Sequence, residues 1–412
     1  MTRLFTAAAV ASVLFVLAAC GGSTAPATPT PAASTSAAPD TIPGKYIVNL
    51  KPGASINDIN RLGNSLEHRP DFTYRTALMG FAGTLSPAEL ARLNGDPAVD
   101  FIEPDRPVYA TPGPPGGSPP GGGNGGGGGG ESPPPQELPW GIDRIDAELN
   151  GGSGGAGIAV AVLDTGVDLD HEDLANVVDG ANFDKPGNPA DDDNGHGTHV
   201  AGTIAAADNN LGYVGVAPNA TIVAVKVLNR RGSGSYSSVI GGIDWVAANA
   251  GAHGIKVANM SLTGYGYSAS MYNAIAAATA AGVTFVVAAG NDDSNAANYS
   301  PAGFSNVITV SALNPNDTFA YYSNWGAVVD VIAPGTNVES LWKNNGYKTI
   351  SGTSMATPHV AGAAALFLDG NNPNDTFADV YAAITDGENA PAGGWVGDPD
   401  GIAEDLVDAQ GM

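Results

Sequence analysis

Residues 351–362 read Ser-Gly-Thr-Ser-Met-Ala-Thr-Pro-His-Val-Ala-Gly. Small and apolar residues continue to about Leu368, so the pattern predicts a buried helix that begins at Ser354. Pro358 would then fall in the first turn, where a missing N–H is tolerated. A serine there lies at the positive end of the helix dipole, which favours the negative charge of acyl transfer. Ser354 is therefore a candidate nucleophile, although a helix cap would be the better explanation of an isolated Gly-Thr-Ser.

The sequence before this helix alternates apolar runs with stretches of small residues of helical character. The runs that we predict as strands are 158–163, 221–227, 257–260, 283–288 and 307–310. Near-continuous apolar strands separated by helices indicate a parallel sheet that is covered on both faces. From about Trp140 to the end we therefore expect an α/β domain, with a parallel sheet sandwiched by helices.

Asp164 lies at the carboxyl end of the first predicted strand, in residues 161–166, Ala-Val-Leu-Asp-Thr-Gly. Sites in open α/β sheets form at this edge. Aspartic peptidases use the same Asp-Thr-Gly tripeptide, but they need two copies, or a homodimer, so that two carboxylates share a proton. One copy occurs here, in an α/β and not an all-β setting, which disfavours that alternative.

A third motif, residues 193–202, reads Asp-Asn-Gly-His-Gly-Thr-His-Val-Ala-Gly. The glycines beside His196 would let another backbone come close, which favours a catalytic base at this position. His196 and His199 could also be a metal pair, but the usual zinc peptidases need His at i and i+4 with an intervening Glu, which is absent. We expect His199 to be a packing residue and the acidic run 191–193 to be a solvated turn.

Together, and in the chain order Asp164, His196, Ser354, these motifs resemble those of the subtilisin family of serine peptidases. The resemblance covers nearly the whole of residues 139–390. The stretches that are similar to the proteinase K branch in particular are 139–145, 290–291 and 298–302.

The resemblance implies a serine endopeptidase that works through a triad and an acyl-enzyme. His196 would take the proton of Ser354 during attack on the peptide carbonyl and return it to the leaving amine, while Asp164 orients the imidazole. Asn291 and the Ser354 backbone N–H would form the oxyanion hole. The rival classes are a catalytically dead binding protein of the same fold and a hydrolase of esters.

Two strands would pair with the substrate backbone, which predicts broad specificity. The substrate-binding residues that the resemblance implies are Gly232, Gly234, Tyr236, Ser261, Leu262, Thr263, Gly264, Ala288, Ala289 and Gly290. Thr263 stands where the family usually has glycine, so we expect a narrowed primary pocket. Tyr236 is expected to line an outer pocket, with an unremarkable surface tyrosine as the alternative.

No cofactor is implied for the chemistry, but calcium is the usual stabilising ion of this family. Asp330 matches the carboxylate of one calcium site in the proteinase K branch, and the carbonyls of Ser305 and Val307 would be its companions. The sequence around Phe304 departs from the family pattern.

Residues 43–107 predict the order β-α-β-β-α-β, a small α+β module of ferredoxin-like type. The module resembles the inhibitory propeptide of the same family, which implies that it assists folding and blocks the cleft with its tail, residues 107–110. We expect self-cleavage close after Ala110, with a position near Leu138 as the competing choice. The expected partners of the enzyme are thus its own propeptide and polypeptide substrates. We expect the enzyme to be a monomer.

The N-terminus predicts export. A basic start and an apolar run to Ala19 form a signal peptide too short for a stable membrane span. Residues 17–21 resemble the bacterial lipobox, so lipid on Cys20 would anchor the precursor at the cell envelope; an ordinary signal with an incidental cysteine is the alternative. We expect the mature enzyme to be extracellular. Cys20 is the only cysteine, which excludes an intramolecular disulfide.

The predicted boundaries follow from these segments. They are a signal peptide at 1–19, a disordered tether at 20–42, the propeptide at 43–110, a Gly/Pro-rich linker at 111–139 and the peptidase domain at 140–412. The formal net charge of −25 repels phosphate backbones, which excludes nucleic acid as a partner and is best explained as keeping a secreted protein soluble.

Overall fold

The computed structural model describes residues 41–110, 134–370 and 375–412. The predicted signal peptide, Cys20, nearly all of the tether and most of the linker lie outside these ranges. In the N-terminal module the elements are, in chain order, β1 Lys45–Leu50, α1 Ile56–Gly63, β2 Phe72–Tyr74, β3 Gly80–Thr84, α2 Pro87–Asn94, β4 Val99–Pro104 and β5 Pro107–Ala110.

The N-terminal module has the predicted β-α-β-β-α-β order, followed by the tail strand β5. Its antiparallel sheet has the strand order β2-β3-β1-β4, and apolar residues of α1 and α2 pack on it around Phe81. The predicted start of α2 is confirmed, because Ser86 Oγ accepts the N–H of Glu89 while the Glu89 carboxylate accepts the N–H of Ser86. The first helix ends at Gly63, earlier than its apolar spacing to Leu66 predicted.

The rest of the chain forms one α/β domain. Its elements are α3 Trp140–Arg144, β6 Ala159–Asp164, β7 Val177–Asn182, α4 His196–Ala205, β8 Thr221–Lys226, β9 Ser233–Ser235, α5 Tyr236–His253, β10 Ile255–Met260, β11 Leu262–Tyr265, α6 Ala269–Ala280, β12 Thr284–Ala288, β13 Tyr299–Ser300, β14 Ile308–Leu313, β15 Val331–Pro334, β16 Val338–Trp342, β17 Gly346–Ile350, α7 Thr353–Gly370 and α8 Phe377–Thr385.

The predicted parallel sheet is confirmed. It has seven strands in the order β15-β14-β12-β10-β6-β8-β7, and every neighbouring pair is parallel. Along β6, Val160 and Val162 face a core shared with α4 and α7, whereas Ala161 and Leu163 face a core shared with α5 and α6. Burial on both faces is the reason that these strands read as continuous apolar runs.

A second, smaller sheet lies at the carboxyl edge of the parallel sheet, since β9 follows β8 and β11 follows β10. Its strand order is β13-β11-β5-β9, so the tail of the N-terminal module is an inner strand of this sheet. Within the described ranges no helix is long and apolar enough to cross a membrane. Residues 134–139, which we assigned to the linker, are ordered, because the N–H of Glu137 bonds to the carbonyl of Gly212 at 2.8 Å.

Candidate active site

Asp164 and His196 meet at the carboxyl edge of the parallel sheet. Asp164 is the last residue of β6 and is fully buried, and His196 is the first residue of α4. His196 Nδ1 lies 2.8 Å from Asp164 Oδ1 and 3.0 Å from Oδ2. His196 Nε2 is buried and has no hydrogen-bond partner among the described residues. Since Nδ1 donates to the carboxylate, Nε2 is the nitrogen that can accept a proton.

Two glycines allow the start of α4 to pack closely, Gly197 against the end of β6 and Gly195 against β16. A Cβ atom on Gly197 would lie 2.0 Å from the carbonyl oxygen of Gly166. Gly195 has a φ of 118°, and a Cβ atom there would lie 2.2 Å from the Trp342 ring. A side chain at Gly197 would push the helix away from the end of β6, whereas one at Gly195 would clash with β16 in a backbone conformation that favours glycine. The expected close approach of backbone beside His196 is therefore confirmed.

The pKa of His196 is set by opposing effects. Burial by itself lowers it, but the charge and hydrogen bond of Asp164, with a further contribution from the charge of Asp192, raise the pKa of His196 above its usual value. A carboxylate that stabilises the imidazolium makes the imidazole a stronger base.

His199 lies one turn further along α4 and does not share this role. Its Nε2 is 3.1 Å from the carbonyl oxygens of both Val338 and Lys348. Burial, and then the neighbouring His196, lower the pKa of His199 to about 3. A buried neutral imidazole that bonds the β16–β17 hairpin fits the packing residue that we expected.

The acidic run 191–193 is not a solvated turn throughout. Asp191 is exposed, but Asp192 is only 6% exposed and its carboxylate accepts hydrogen bonds from Thr165 and Thr198. The prediction is therefore wrong for Asp192, because the chain folds this carboxylate under the N-terminus of α4.

Ser354 is the second residue of α7 and is fully buried. Its Oγ donates to the carbonyl oxygen of Ser261 at 3.1 Å, and Ser261 Oγ donates to the Ser354 carbonyl at 2.9 Å. Pro358 stands four residues after Ser354 and has no N–H for that carbonyl, so the Ser261 hydroxyl supplies the missing donor. The helix begins at Thr353, so Pro358 lies in its second turn. The prediction that Pro358 falls in the first turn is therefore wrong.

Asn291 follows β12 and is oriented by the residue before the serine. Its Oδ1 accepts hydrogen bonds from Thr353 N at 2.9 Å and from Thr353 Oγ1 at 3.0 Å. The same hydroxyl accepts the N–H of Gly290 at 3.2 Å. With its oxygen engaged in this way, the donor that Asn291 offers is its Nδ2 group.

The tail strand β5 lies between the two predicted substrate-binding strands. Tyr109 pairs with Thr263 and Ala110 with Leu262 of β11, while Val108 pairs with Gly234 of β9. The Ala110 N–H also donates to the Gly232 carbonyl at 2.8 Å. Ser261 and Gly264 extend the same edge at either end of these pairs. The predicted cleft strands and the predicted tail thus come together as one antiparallel sheet.

The wall of the cleft beside Thr263 is crowded. Thr263 is 5% exposed, and its Cγ2 lies 3.7 Å from the place where a Cβ on Gly290 would stand. Ala288 and Ala289, which lead into Gly290, are fully buried. Thr263 therefore adds side-chain volume next to a segment of alanine and glycine, the two smallest residues.

Tyr236 is fully buried at the start of α5, so the alternative of a surface tyrosine is wrong. Its hydroxyl donates to the carbonyl oxygens of Tyr265 at 3.2 Å and Gly266 at 2.9 Å. The ring lies against Gly264, where a Cβ would be 2.4 Å from Tyr236 Cε1.

Two carboxylates of the N-terminal module bind helix N-termini of the α/β domain, and sequence reasoning missed both. Glu103 accepts the Ser268 hydroxyl at 2.6 Å and the Ala269 N–H at 3.1 Å, at the start of α6. Asp105 accepts the Ser237 hydroxyl at 2.5 Å and the Ser237 N–H at 3.1 Å, at the start of α5. Nothing in the local sequence of β4 indicates helices that begin more than a hundred residues later.

Asp330 was predicted as a calcium ligand. Its Oδ2 accepts the Thr309 N–H at 2.8 Å and its Oδ1 accepts the Tyr381 hydroxyl at 2.7 Å. Burial raises the pKa of Asp330. Ser305 and Val307 line a cavity of about 390 Å³ together with Asp330.

This donor set is sparse for calcium, which takes about six to eight oxygen ligands. Both oxygens of the Asp330 carboxylate already accept hydrogen bonds, and Phe304 and Phe377 also line the cavity. Across the described residues no group of three His, Cys, Asp or Glu side chains could hold a metal ion. The residues at Asp330 therefore fit a calcium ion only in part.

Comparison with known proteins adds independent findings. A family model described as the subtilase family matches residues 155–394, and one described as peptidase inhibitor I9 matches residues 45–111. Subtilisin Savinase of Lederbergia lenta is 48% identical over 239 residues, which are 57% of this chain and 86% of that protein. The extracellular serine proteinase of Thermus sp. strain Rt41A is 40% identical, over 90% of this chain and 91% of its own.

Other matches differ in coverage. The alkaline serine exoprotease A of Vibrio alginolyticus is 41% identical over 76% of this chain, which spans 56% of the Vibrio protein's length. The crystal structure of a cold-adapted subtilisin-like serine proteinase matches with a TM-score of 0.59 and 41% identity, over 66% of this chain and 97% of that one.

Proposed function

The chain belongs to the subtilase family of serine proteases, and from that premise we propose that Ser354, His196 and Asp164 form its catalytic triad. The observation that carries the proposal is the state of His196. Asp164 holds Nδ1 at 2.8 Å, while Nε2 is buried and has no partner among the described residues. Nε2 is the atom that must take the serine proton.

The reaction follows from these roles. Ser354 Oγ attacks the peptide carbonyl as its proton passes to His196 Nε2, and the same proton then goes to the leaving amine. The Ser354 N–H, at the positive end of α7, and Asn291 Nδ2 are the donors to the oxyanion. Water attacks the acyl-enzyme in the second half by the same proton route. No cofactor takes part in these steps.

One experiment separates this proposal from its rivals. The wild-type chain and the Ser354→Ala variant are expressed and tested for maturation, peptide hydrolysis and labelling by a reagent that modifies active-site serines. We expect all three from the wild type and none from the variant. A binding protein without activity would give the same result for both chains, and ester hydrolysis without peptide hydrolysis would support the esterase alternative.

We propose that the chain is made as a zymogen that cleaves itself close after Ala110, or near Leu138 as the competing position. The pairing of Ala110 with Leu262 indicates that the bond attacked by Ser354 lies beyond Ala110. Residues 111–112 read Thr-Pro, and the ring nitrogen of proline carries no hydrogen. A bond to proline is a poor substrate, so cleavage close after Ala110 would fall on the Ala110–Thr111 bond and not on the Thr111–Pro112 bond. N-terminal sequencing of the processed protein decides between this position and the one near Leu138.

The specificity that we propose is broad, with a small residue preferred in the primary pocket. Main-chain pairing on both sides of the tail supports recognition that depends little on side chains. Thr263 stands beside Gly290 and reduces the room for a large side chain. A series of tetrapeptide substrates that differ only in the residue before the cleaved bond measures this preference.

Further parts of the proposal come from the sequence, through its composition and its resemblances. They are membership of the proteinase K branch, export through the signal at 1–19, lipid on Cys20 of the precursor and a monomeric mature enzyme outside the cell. The domain boundaries given above belong here too, except that residues 134–139 go with the α/β domain and not with the linker. The name of the Thermus relative, an extracellular proteinase, supports export. Radiolabelled palmitate incorporation into the wild type, but not into a Cys20→Ser variant, tests the lipid.

A structural calcium ion at Asp330, with the carbonyls of Ser305 and Val307, also stays a proposal. The sparse donor set predicts weak binding. The melting temperature should therefore rise only at millimolar calcium, and the Asp330→Asn variant should lose that response.

A further inference from the structure

Two loops adjoin the proposed catalytic residues Asp164 and His196. Both loops are held by buried charged side chains that take no part in the reaction described above. The first loop begins at Thr165, directly after Asp164. The second ends at Gly195, directly before His196. A small movement of either loop would separate the imidazole from its carboxylate.

Asp192 joins these loops from within the second one. Its Oδ1 accepts the Thr165 hydroxyl at 2.9 Å and the N–H groups of Asn194 and Gly195 at 2.9 Å each. Its Oδ2 accepts the Thr198 N–H at 3.0 Å and the Thr198 hydroxyl at 2.7 Å. Burial raises the pKa of Asp192, and the hydrogen bonds from Thr198, Gly195 and Asn194 act in the opposite direction. Five donors occupy all of the roughly four lone-pair sites of a carboxylate, with some sharing, and a protonated carboxyl would turn one of these acceptors into a donor, so the geometry favours the ionised form.

Thr165 passes the connection on to α4. Its hydroxyl, which donates to Asp192, also accepts the Gly197 N–H at 2.9 Å. The residue after Asp164 is thus bonded both to the carboxylate below the helix and to the helix itself.

Lys226 joins the same loops from the neighbouring strand. It is 1% exposed at the end of β8, in register with Asp164 of β6. Its Nζ donates to the Thr165 carbonyl oxygen and to Asp193 Oδ1, the latter at 2.7 Å. A fully buried ammonium is costly unless it is paired, which is the state that Asp193 and the carbonyl provide.

We propose that Asp192 and Lys226 are positioning residues for the triad, which fasten the loop after Asp164 to the turn before His196. The inference rests on the proposed function, since it assigns a role relative to that triad. Neither residue touches the reacting atoms. Their effect is to keep the distance between imidazole and carboxylate short while the substrate binds and leaves.

The test variant is Asp192→Asn. Its amide oxygen can still accept the Thr165 hydroxyl, but its N–H₂ group would face the N–H and hydroxyl donors of Thr198. We expect kcat to fall about 10- to 100-fold with KM within about twofold of wild type, because misplacement by about 1 Å costs on that order. The matched control is Asp191→Asn, which removes the same charge from the exposed neighbour and should leave both constants unchanged.

A pH profile of kcat/KM gives a readout that a purely structural role would not move. The charged or titratable groups that act on His196 are Asp164 from β6, Asp192 from the preceding loop and His199 from α4. His199 stays neutral, and Asp164 is retained in the variant. Loss of the Asp192 charge should therefore shift the acidic limb to lower pH, and Asp191→Asn should leave it in place.

Two further variants keep the inference falsifiable if Asp192→Asn does not fold. Thr165→Val removes the shared hydroxyl and should lower kcat, and its effect should not add to that of Asp192→Asn. Lys226→Met should lower kcat in the same direction. Wild-type kcat in Thr165→Val and Lys226→Met, or equal constants for the Asp192 and Asp191 variants, would overturn the inference. Labelling of Ser354 by the serine reagent in those same chains would show that the proposed function itself still stands.

Discussion

The contact between Glu103 and the start of α6 predicts how tightly the N-terminal module inhibits the peptidase. The Glu103 carboxylate accepts the Ser268 hydroxyl at 2.6 Å, the Ala269 N–H at 3.1 Å and the Ser270 N–H at 3.3 Å. We expect Glu103→Gln to weaken this contact, because it removes a negative charge from a helix N-terminus and turns one acceptor into a donor. Its amide N–H₂ would then face the Ala269 N–H.

The size of the loss follows from two contributions. A carboxylate at a helix N-terminus contributes about 0.3–1 kcal/mol, and up to about 2 kcal/mol where it is partly buried. A hydrogen bond to a charged group is worth about 1 kcal/mol more than a neutral one. Their sum is about 1.3–3 kcal/mol, which corresponds to an inhibition constant that rises about 9- to 150-fold.

The assay is inhibition of the processed peptidase by added residues 41–110, with the wild-type module, Glu103→Gln and a control. The control is Asp100→Asn, which removes the same charge from an exposed position of the same strand, β4. We expect the control to bind within twofold of the wild type. An inhibition constant for Glu103→Gln equal to that of the control would refute the reasoning, since the helix contact would then contribute nothing.

Three more predictions concern the cleft and the triad. Ser261→Ala should remove the hydrogen bond from the Ser261 hydroxyl to the buried Ser354 carbonyl. We expect the free energy of unfolding to fall by about 0.5–1.5 kcal/mol, the net worth of one hydrogen bond. Urea denaturation measures this loss, and an unchanged midpoint contradicts it. Thr263→Gly should raise kcat/KM for a phenylalanine substrate relative to an alanine one by about 10-fold or more; an unchanged ratio would place the pocket elsewhere. Activity requires neutral His196, so its raised pKa puts the midpoint of the acidic limb above that of an ordinary histidine. Asp164→Asn should move that midpoint to lower pH and lower kcat by about 10⁴-fold. A pH profile of kcat/KM measures the midpoint, and an unmoved midpoint would argue against the pairing of Asp164 with His196.

Much of the fold was predictable because its signals are local. The strands predicted within the sheet are buried on both faces, and therefore appear as unbroken apolar runs. The strands that were missed are β7 and β15, at the two edges of the sheet. β7 reads Val-Val-Asp-Gly-Ala-Asn and β15 reads Val-Ile-Ala-Pro, so neither carries the length and apolar character of a central strand.

The site divides in the same way. The glycines beside His196 and the small residues around Ser354 are local features, so the motifs that resemble the subtilisin family are readable in the sequence alone. The predicted place of Pro358 in the first turn was wrong for a local reason, since at about 3.6 residues per turn it lies in the second turn whether the helix begins at Thr353 or at Ser354. Asp192 was misjudged because an acidic run reads as solvated unless it is known which backbone folds over it.

By itself, then, the sequence determined the residue types, their chain order and the periodicity that makes an α/β fold. Only the tertiary structure decided which of them touch. Asp164 and His196 are 32 residues apart, and Ser261 and Ser354 are 93 apart, yet both pairs are in hydrogen-bond contact. The pairing of Tyr109 with Thr263 and the seat of Glu103 on α6 are of the same kind. Such contacts are set by strand register and helix packing. Both depend on the whole core, so a short window of sequence does not determine them.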